Sequence, residues 1–338
     1  MSDLESALLR FCEKLTAAAA KQEPLYVIGH RQPDTDALAS SMAAARFLQG
    51  LGIRAEAANC QRPGNEACFV LDRFGLEAPP EPQEIEKRRF LLTDHNSLVQ
   101  SWPGLGRDQV VGIIDHHAPG EVWPPEMPVL CEQVGAASTL VYHLHRVCST
   151  AVPRDMARLL LAGIASDTRG MTRNVTKADE TAFRELEKLA EVGDTDALYR
   201  DMALSLTEYE GKTDQEIFLS DYREYALEGV KLGIGSVNAC GEEGLWQLAQ
   251  RMQRAMGEIW KASGDRLLFC MVSNKGNEKA ENQMVIAAAG AAETLMREAF
   301  GDHMEGGLAV FQESLSRKRA VLPRLLSVLE KENRGWNK

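Results

Sequence analysis

A short apolar run, Leu25-Tyr-Val-Ile28, empties into Gly29-His-Arg-Gln-Pro-Asp-Thr-Asp36, and this junction constrains the chain more than any other stretch. A strand that ends in one imidazole and two carboxylates, His30, Asp34 and Asp36, suits a divalent cation, because nitrogen and oxygen donors match Mg, Mn, Co or Zn. The pattern recurs. The apolar run 89–93 delivers Asp94 and His95, the run 110–114 delivers Asp115, His116 and His117, and the apolar helix expected over 156–165 leads into a polar loop, Ser166-Asp-Thr168.

Between these junctions the periodicity predicts helices. Apolar residues at helical spacing put an amphipathic helix before the first strand, and 36–48 reads as a helix ended by Gly50 and Gly52. A second strand is expected over 53–58, a short helix over 69–74, and further helices over 135–147, 179–192 and 195–203. Strands alternating with helices argue for an α/β domain, a parallel sheet flanked by helices, whose ligands gather beyond the carboxyl ends of the strands. The glycine-containing, aperiodic stretch 206–213 reads as a linker, giving a first domain over 1–205 and a smaller α/β domain with a mixed sheet over 214–338. In the latter, strands are expected over 230–237, 266–273 and 284–288, with helices over 244–263 and 321–330; 281–296 as a whole is a weak strand-then-helix pattern.

Composition narrows the partners. A formal net charge of -11 opposes long nucleic acid, whose nonspecific affinity comes from Lys and Arg neutralising phosphates, while leaving a small phosphate substrate open. No apolar run is long enough to span a membrane. Segment 1–21 lacks the pattern of a signal peptide, and seven scattered cysteines without a CxxC pair read as reduced, mostly buried thiols, so a cytoplasmic location is expected.

Seven donors thus come from separate loops: His30, Asp34, Asp36, Asp94, His116, His117 and Asp167. Singly each has a structural reading, as Asp36 could be a helix N-cap. Together they suffice for two cations sharing one carboxylate. Such a pair, about 3.5 to 4 Å apart, can activate a water and stabilise both the attacking and leaving oxygens of phosphoryl transfer.

The motifs Gly29-His-Arg-Gln-Pro-Asp-Thr-Asp36, Asp94-His-Asn96, Asp115-His-His117 and Ser166-Asp-Thr168 resemble those of the DHH phosphoesterase superfamily. The ending Ser316-Arg-Lys-Arg319 resembles the Ser-Arg-Lys signature of the DHHA2 domain, and together they resemble family II, manganese-dependent inorganic pyrophosphatases. Arg62-Pro-Gly-Asn-Glu66 and Val134-Gly-Ala-Ala-Ser-Thr139 fit as supporting segments, and the helix in 1–22 is extra. The resemblance implies hydrolysis of pyrophosphate to two phosphates by a two-metal-activated hydroxide in an interdomain cleft. His30 and Asp34 would hold one metal, Asp36, His116 and Asp167 the other, and Asp94 would bridge them. It implies two Mn2+ or Co2+ ions, Mg2+ arriving with substrate, and pairing of copies into a homodimer through an edge strand. His117, Arg317 and Lys318 would reach the substrate, with Asp115 and His95 supporting the ligands.

Three departures bear on substrate choice. Arg223 in Asp221-Tyr-Arg-Glu-Tyr225 stands where the family has Lys, a change that keeps charge and alters geometry. Ser97 replaces the Glu that follows Asp-His-Asn, and 169–176 does not reproduce the family's Lys-Ser-Pro-Thr run, leaving Arg173 and Thr172 to compensate. A short-chain exopolyphosphatase or prune-like enzyme acting on tri- or tetraphosphate or nucleotides is therefore the principal alternative. A catalytically silent scaffold would be expected to have lost a ligand, and an exonuclease of the superfamily would not carry Ser-Arg-Lys.

Overall fold

The computed structural model describes residues 3–19, 24–209, 211–227, 230–263, 266–275 and 283–336. The expected helix end at 20–22 and the start of the weak pattern at 281 lie outside them. The chain divides into two compact units, Met1–Met202 and Ala203–Lys338.

The first unit runs α1 (Asp3–Ala19), β1 (Leu25–Ile28), α2 (Thr35–Gly50), β2 (Ala55–Ala58), α3 (Asn65–Phe74), β3 (Arg89–Thr93), β4 (Val110–Asp115), β5 (Val129–Cys131), α4 (Ala137–Val147), α5 (Arg154–Asp167) and α6 (Lys177–Ala190), and α7 (Thr195–Ser205) follows. Its sheet has the order β2-β1-β3-β4-β5, with every neighbouring pair parallel. In this order the chain direction across the sheet reverses between β1 and β3, and the crevice beyond that switch point is where such folds bind ligands. His30 follows β1 and Asp94 follows β3.

Strand alternation sorts the core. Leu25 and Val27 join Leu91 and Ile114 against the helices, whereas Tyr26, Ile28, Phe90 and Leu92 pack with Leu98, Trp102 and Leu105 from the loops on the other face. Helix α1 buries Leu8, Phe11, Cys12 and Leu15 in the first of these cores. Each large side chain so buried contributes about 2 kcal/mol, so the helix is part of the fold. Helix α2 is deeply buried, with Ala37, Leu38, Ala43, Ala44, Phe47 and Leu48 inaccessible to solvent. It comes this close to β1 because Gly29 has no side chain: a Cβ there would sit 2.7 Å from the Ala37 carbonyl oxygen.

Asp179, the third residue of α6, is wholly buried and organises the approach to the site. Its carboxylate accepts from the Gly135 N–H (2.9 and 3.0 Å), the Thr139 hydroxyl (2.6 Å), and the N–H and hydroxyl of Thr176 (2.8 and 2.6 Å). Asp179→Ala leaves these donors unpaired and is expected to destabilise the protein by about 3 kcal/mol. Urea unfolding reads the change; a loss below about 1 kcal/mol would mean that water replaces the carboxylate.

The second unit contains α8 (Asp214–Leu219), β6 (Tyr222–Leu227), β7 (Val230–Ala239), α9 (Gly241–Ser263), β8 (Leu267–Asn274), β9 (Met284–Ala289), α10 (Ala292–Phe300), β10 (Met304–Glu305), β11 (Leu308–Phe311) and α11 (Leu322–Trp336). Its mixed sheet has the order β10-β11-β9-β8-β7-β6, parallel between β7 and β8 and antiparallel elsewhere. Leu268, Cys270 and Val272 face α9, while Phe269 and Met271 join Leu295, Phe300 and Leu325 from α10 and α11. Among the described residues no helix is long and apolar enough to cross a membrane.

Two sequence expectations need correction. Asp167 is the last residue of α5, not part of a loop, because the helix continues two residues past its apolar stretch. Asp34, not Asp36, caps α2: its Oδ1 accepts from the Ala37 N–H at 3.0 Å, while Asp36 lies inside the first turn.

Candidate metal centre

Local structure aims each donor. Asp94 sits at φ 60°, a left-handed conformation that turns the chain sharply at the end of β3. His95 stabilises that turn. Its Nδ1 donates to the Thr93 carbonyl (2.8 Å), so its Nε2 accepts from the Ser101 hydroxyl (2.5 Å), and burial pushes its pKa down to about 4, which keeps the ring neutral. Asp36 is clamped by the opening of α4, whose Ala137 and Ser138 N–H groups donate to its two oxygens at 2.6 and 2.9 Å.

The donors meet in three overlapping groups whose ligand atoms lie within 4.8 Å of one another: His30, Asp34 and Asp94; Asp36, Asp94, His116 and Asp167; and Asp94, His116 and His117. Asp94 belongs to all three. Its Oδ2 lies 3.6 Å from His30 Nε2, and its Oδ1 lies 3.2 Å from His116 Nε2. His30 Nε2 is also 3.3 Å from Asp34 Oδ2, and His116 Nε2 is 3.3 Å from Asp167 Oδ2.

His116 shows what this arrangement asks for. Its Nδ1 faces the Val134 carbonyl at 3.1 Å, and a carbonyl can only accept, so the proton sits on Nδ1. Nε2 then faces carboxylate oxygens of Asp94 and Asp167, and a proton or a cation must lie between. Neither His116 Nε2 nor Asp94 Oδ1 has a hydrogen-bond partner although both are buried. Lone pairs converging in this way repel unless a proton or a divalent cation lies between them.

The electrostatics agree. Burial, reinforced by the Asp36 and Asp34 charges, raises the Asp94 pKa well above the carboxylate range. Burial likewise lifts Asp167 to about 7 despite the neighbouring His116 imidazole. Burial opposes a charged His116, but the Asp167 and Asp94 carboxylates outweigh it and hold its pKa far up, and Asp34 acts in the same direction on His30. The centre has an excess of buried negative charge. Two divalent cations fit this donor set in number, donor type and charge.

Around it, Asp115 is wholly buried. Its Oδ1 accepts from the His116 and His117 N–H groups (2.8 and 3.2 Å) and from His117 Nδ1 (2.9 Å), and its Oδ2 from Asn96 Nδ2 (2.5 Å). Although burial opposes it, the His117 contacts lower the Asp115 pKa, so the carboxylate stays charged. It fixes the His117 tautomer and leaves that ring's Nε2 available at a half-exposed position. Sequence reasoning missed Glu66, which accepts from the hydroxyls of Thr35 and Ser166, both at 2.6 Å. It ties the start of α2, where Asp34 and Asp36 lie, to the helix end carrying Asp167. The signal was its presence in Arg62-Pro-Gly-Asn-Glu66. Where Ser97 replaces Glu, Glu121 supplies a carboxylate from another loop, accepting from Ser97 Oγ (2.9 Å) and the Leu98 N–H (2.7 Å).

The basic candidates are divided between the two units. Arg173 is exposed, and its backbone N–H donates to the Thr168 carbonyl at 2.8 Å. In the second unit, Arg317 opens a single wide helical turn, Arg317–Val321, capped by Ser316. Its guanidinium donates to the carbonyls of Asp221 and Ile234 (2.8 and 2.9 Å) and to Asp221 Oδ1 (2.7 Å). Arg223 Nε lies 3.8 Å from the same oxygen, and Lys318 is exposed.

Residues 24–164 match the model of the DHH family N-terminal domain, and 200–328 that of the DHHA2 domain. A Streptococcus mutans protein named a probable manganese-dependent inorganic pyrophosphatase is 30% identical over 89% of this chain and 97% of its own length. The chain belongs to the manganese-dependent inorganic pyrophosphatase family. A Deinococcus radiodurans member of the same name is 32% identical over 89% of this chain and 97% of its own. A solved structure of a Methanococcus jannaschii protein assigned to the family II inorganic pyrophosphatases has the same fold, with a TM-score of 0.68 at 24% identity, covering 90% of this chain and 98% of that one.

Proposed function

We propose that the protein hydrolyses inorganic pyrophosphate to two phosphates with the help of two divalent cations, manganese first among them and cobalt an alternative. His30, Asp34 and Asp94 would hold one cation, and Asp94, Asp36, His116 and Asp167 the other. The observation that carries this reading is the position of Asp94, whose two oxygens face two different imidazoles. When bound, the cations supply Lewis-acid charge to phosphoryl oxygens and lower the pKa of a water.

The chain's own groups do the rest. Asp115 holds the proton of His117 on Nδ1, so Nε2 presents to a phosphate oxygen and can accept or return a proton there. His95 and Asp115 act as supports for the ligand loops. Arg317, Lys318, Arg223 and Arg173 are assigned to substrate oxygens: Arg offers two parallel donors and Lys a point charge. Mg2+ is assigned to the incoming substrate. The overall acidity of the chain and the small size of the proposed donor cluster support a small phosphate substrate over long nucleic acid.

The test is phosphate release after chelation and re-addition of Mn2+, Co2+, Mg2+ or Zn2+, with pyrophosphate, tripolyphosphate and a cyclic nucleotide as substrates. The expected result is turnover of pyrophosphate at least about tenfold faster than of the other two with Mn2+ or Co2+, a difference of about 1.4 kcal/mol in barrier. Faster turnover of tripolyphosphate would reassign the enzyme to the short-chain exopolyphosphatase reading, for which Ser97 and the altered segment 169–176 are the favouring features.

A further inference from the structure

Two cysteines distant in sequence and outside the metal centre lie against each other. Cys12 Sγ and Cys148 Sγ are 2.7 Å apart, although 136 positions separate them along the chain. Both are free thiols in the structure. The separation is well inside van der Waals contact of two sulfurs and a small movement from the S–S bond of about 2.05 Å.

Each thiol is delivered by a fixed element. Cys12 lies on the buried face of α1, one helical turn from Leu8 and from Leu15, which are 2% and 0% exposed. Cys148 caps α4, its N–H donating to the Leu144 carbonyl at 3.1 Å. Neither can swing far. Cys12 is 7% exposed whereas Cys148 is half-buried, so a small oxidant reaches Cys148 first.

We propose that Cys12 and Cys148 form a disulfide site that staples α1 to α4 when a low-molecular-weight disulfide is present as oxidant. The Cys148 thiolate attacks one sulfur of the small disulfide and expels the first small thiolate. Cys12, deprotonated, then attacks the Cys148 sulfur of the mixed disulfide and expels the second. Two protein thiols lose two electrons and two protons in all, and the small disulfide is reduced to two thiols. Burial, followed by the Cys148 contact, raises the Cys12 pKa, so the second step is the slower one and accelerates with pH.

The location determines what the bond would do. Helix α4 spans Ala137–Val147, so its opening, which holds Asp36, lies roughly 15 Å from Cys148. The cross-link therefore registers in stability, not in the chemistry of the metal centre. It closes a loop of 136 residues and removes that freedom from the unfolded chain. The unfolding midpoint is expected to rise by about 10 °C between reducing and oxidising conditions.

The experiment incubates the full-length protein with oxidised glutathione at about pH 8, where thiolates are more abundant. N-ethylmaleimide then blocks the remaining thiols, and peptides are mapped by mass spectrometry in parallel with thermal unfolding. The expected result is a Cys12–Cys148 linked peptide, loss of two alkylatable thiols from the seven, and a midpoint shift abolished in Cys148→Ser. Cys148→Ser changes a half-buried position and should fold; Cys12→Ser provides the second control. A glutathione adduct persisting on Cys148, alkylation of both cysteines, or linkage only through the exposed Cys240 would each overturn the proposal.

Discussion

Asp94→Asn is expected to slow phosphate release from pyrophosphate by about a thousandfold or more, a loss of about 4 kcal/mol in the barrier. The reason is geometric. Asp94 is 2% exposed, and its oxygens point to His30 on one side and His116 on the other, so no other carboxylate can replace it between the two donor sets. Asparagine keeps the shape and tolerates φ near 60°, but it lacks the charge and one oxygen donor. The same variant should fold. Without metal it should be at least as stable as the parent, because burial and the Asp36 and Asp34 charges already disfavour a charged Asp94. Steady-state phosphate release and an unfolding midpoint, measured on one preparation, separate the two effects. Parent-like turnover in a folded Asp94→Asn protein would defeat the two-cation reading.

Stripping the protein of metal and adding back Mn2+ should produce the largest stability change. At a metal concentration a thousandfold above Kd, each occupied site adds about 4 kcal/mol, and two raise the unfolding midpoint by about 20 °C. His116→Ala removes the imidazole shared with Asp36 and Asp167 and should cut the shift roughly in half. The shift should also grow with pH. Asp167 has a folded pKa near 7 against an ordinary 3.8, so the metal-free folded form binds this proton more tightly than the unfolded chain does. That contribution is complete below about pH 4 and fades as pH rises through about 7. Metal must displace the same proton, so Mn2+ binds more tightly above pH 7 than below it. Calorimetric unfolding at about pH 6 and about pH 8, with and without Mn2+, checks both points. A shift that is larger at the lower pH would contradict the placement of Asp167 in the donor set.

Much of the first sheet was legible because its strands are apolar on both faces. The runs at 25–28, 89–93 and 110–114 satisfy buried neighbours on either side and so stand out from any solvated segment. β5 and β6 escaped notice for the opposite reason. Val129-Leu-Cys131 is too short to show a period, and Tyr222-Arg-Glu-Tyr-Ala-Leu227 is charged in its middle; both are edge strands held by one neighbour each. Local propensity puts Asp167 in a loop, because it ends the helix where apolar residues run out. In the fold, α5 continues because the Thr168 N–H and hydroxyl both reach back to the Ile164 carbonyl.

What the linear order of residues determined by itself is the inventory: which donors exist, that all but Asp167 follow strands, and that their chemistry is that of oxygen- and nitrogen-ligated cations. Those properties are local, since a strand and the residues after it are adjacent in the chain. Tertiary structure decided the rest. Only the packing of β1, β3, β4 and α5 showed that Asp94 is common to every donor group, that Val134 fixes the His116 proton, and that Glu66 joins two distant ligand segments. Only the docking of α1 on α4 brought Cys12 to Cys148. Such pairings are set by which surfaces exclude water together, and that is a property of the whole chain.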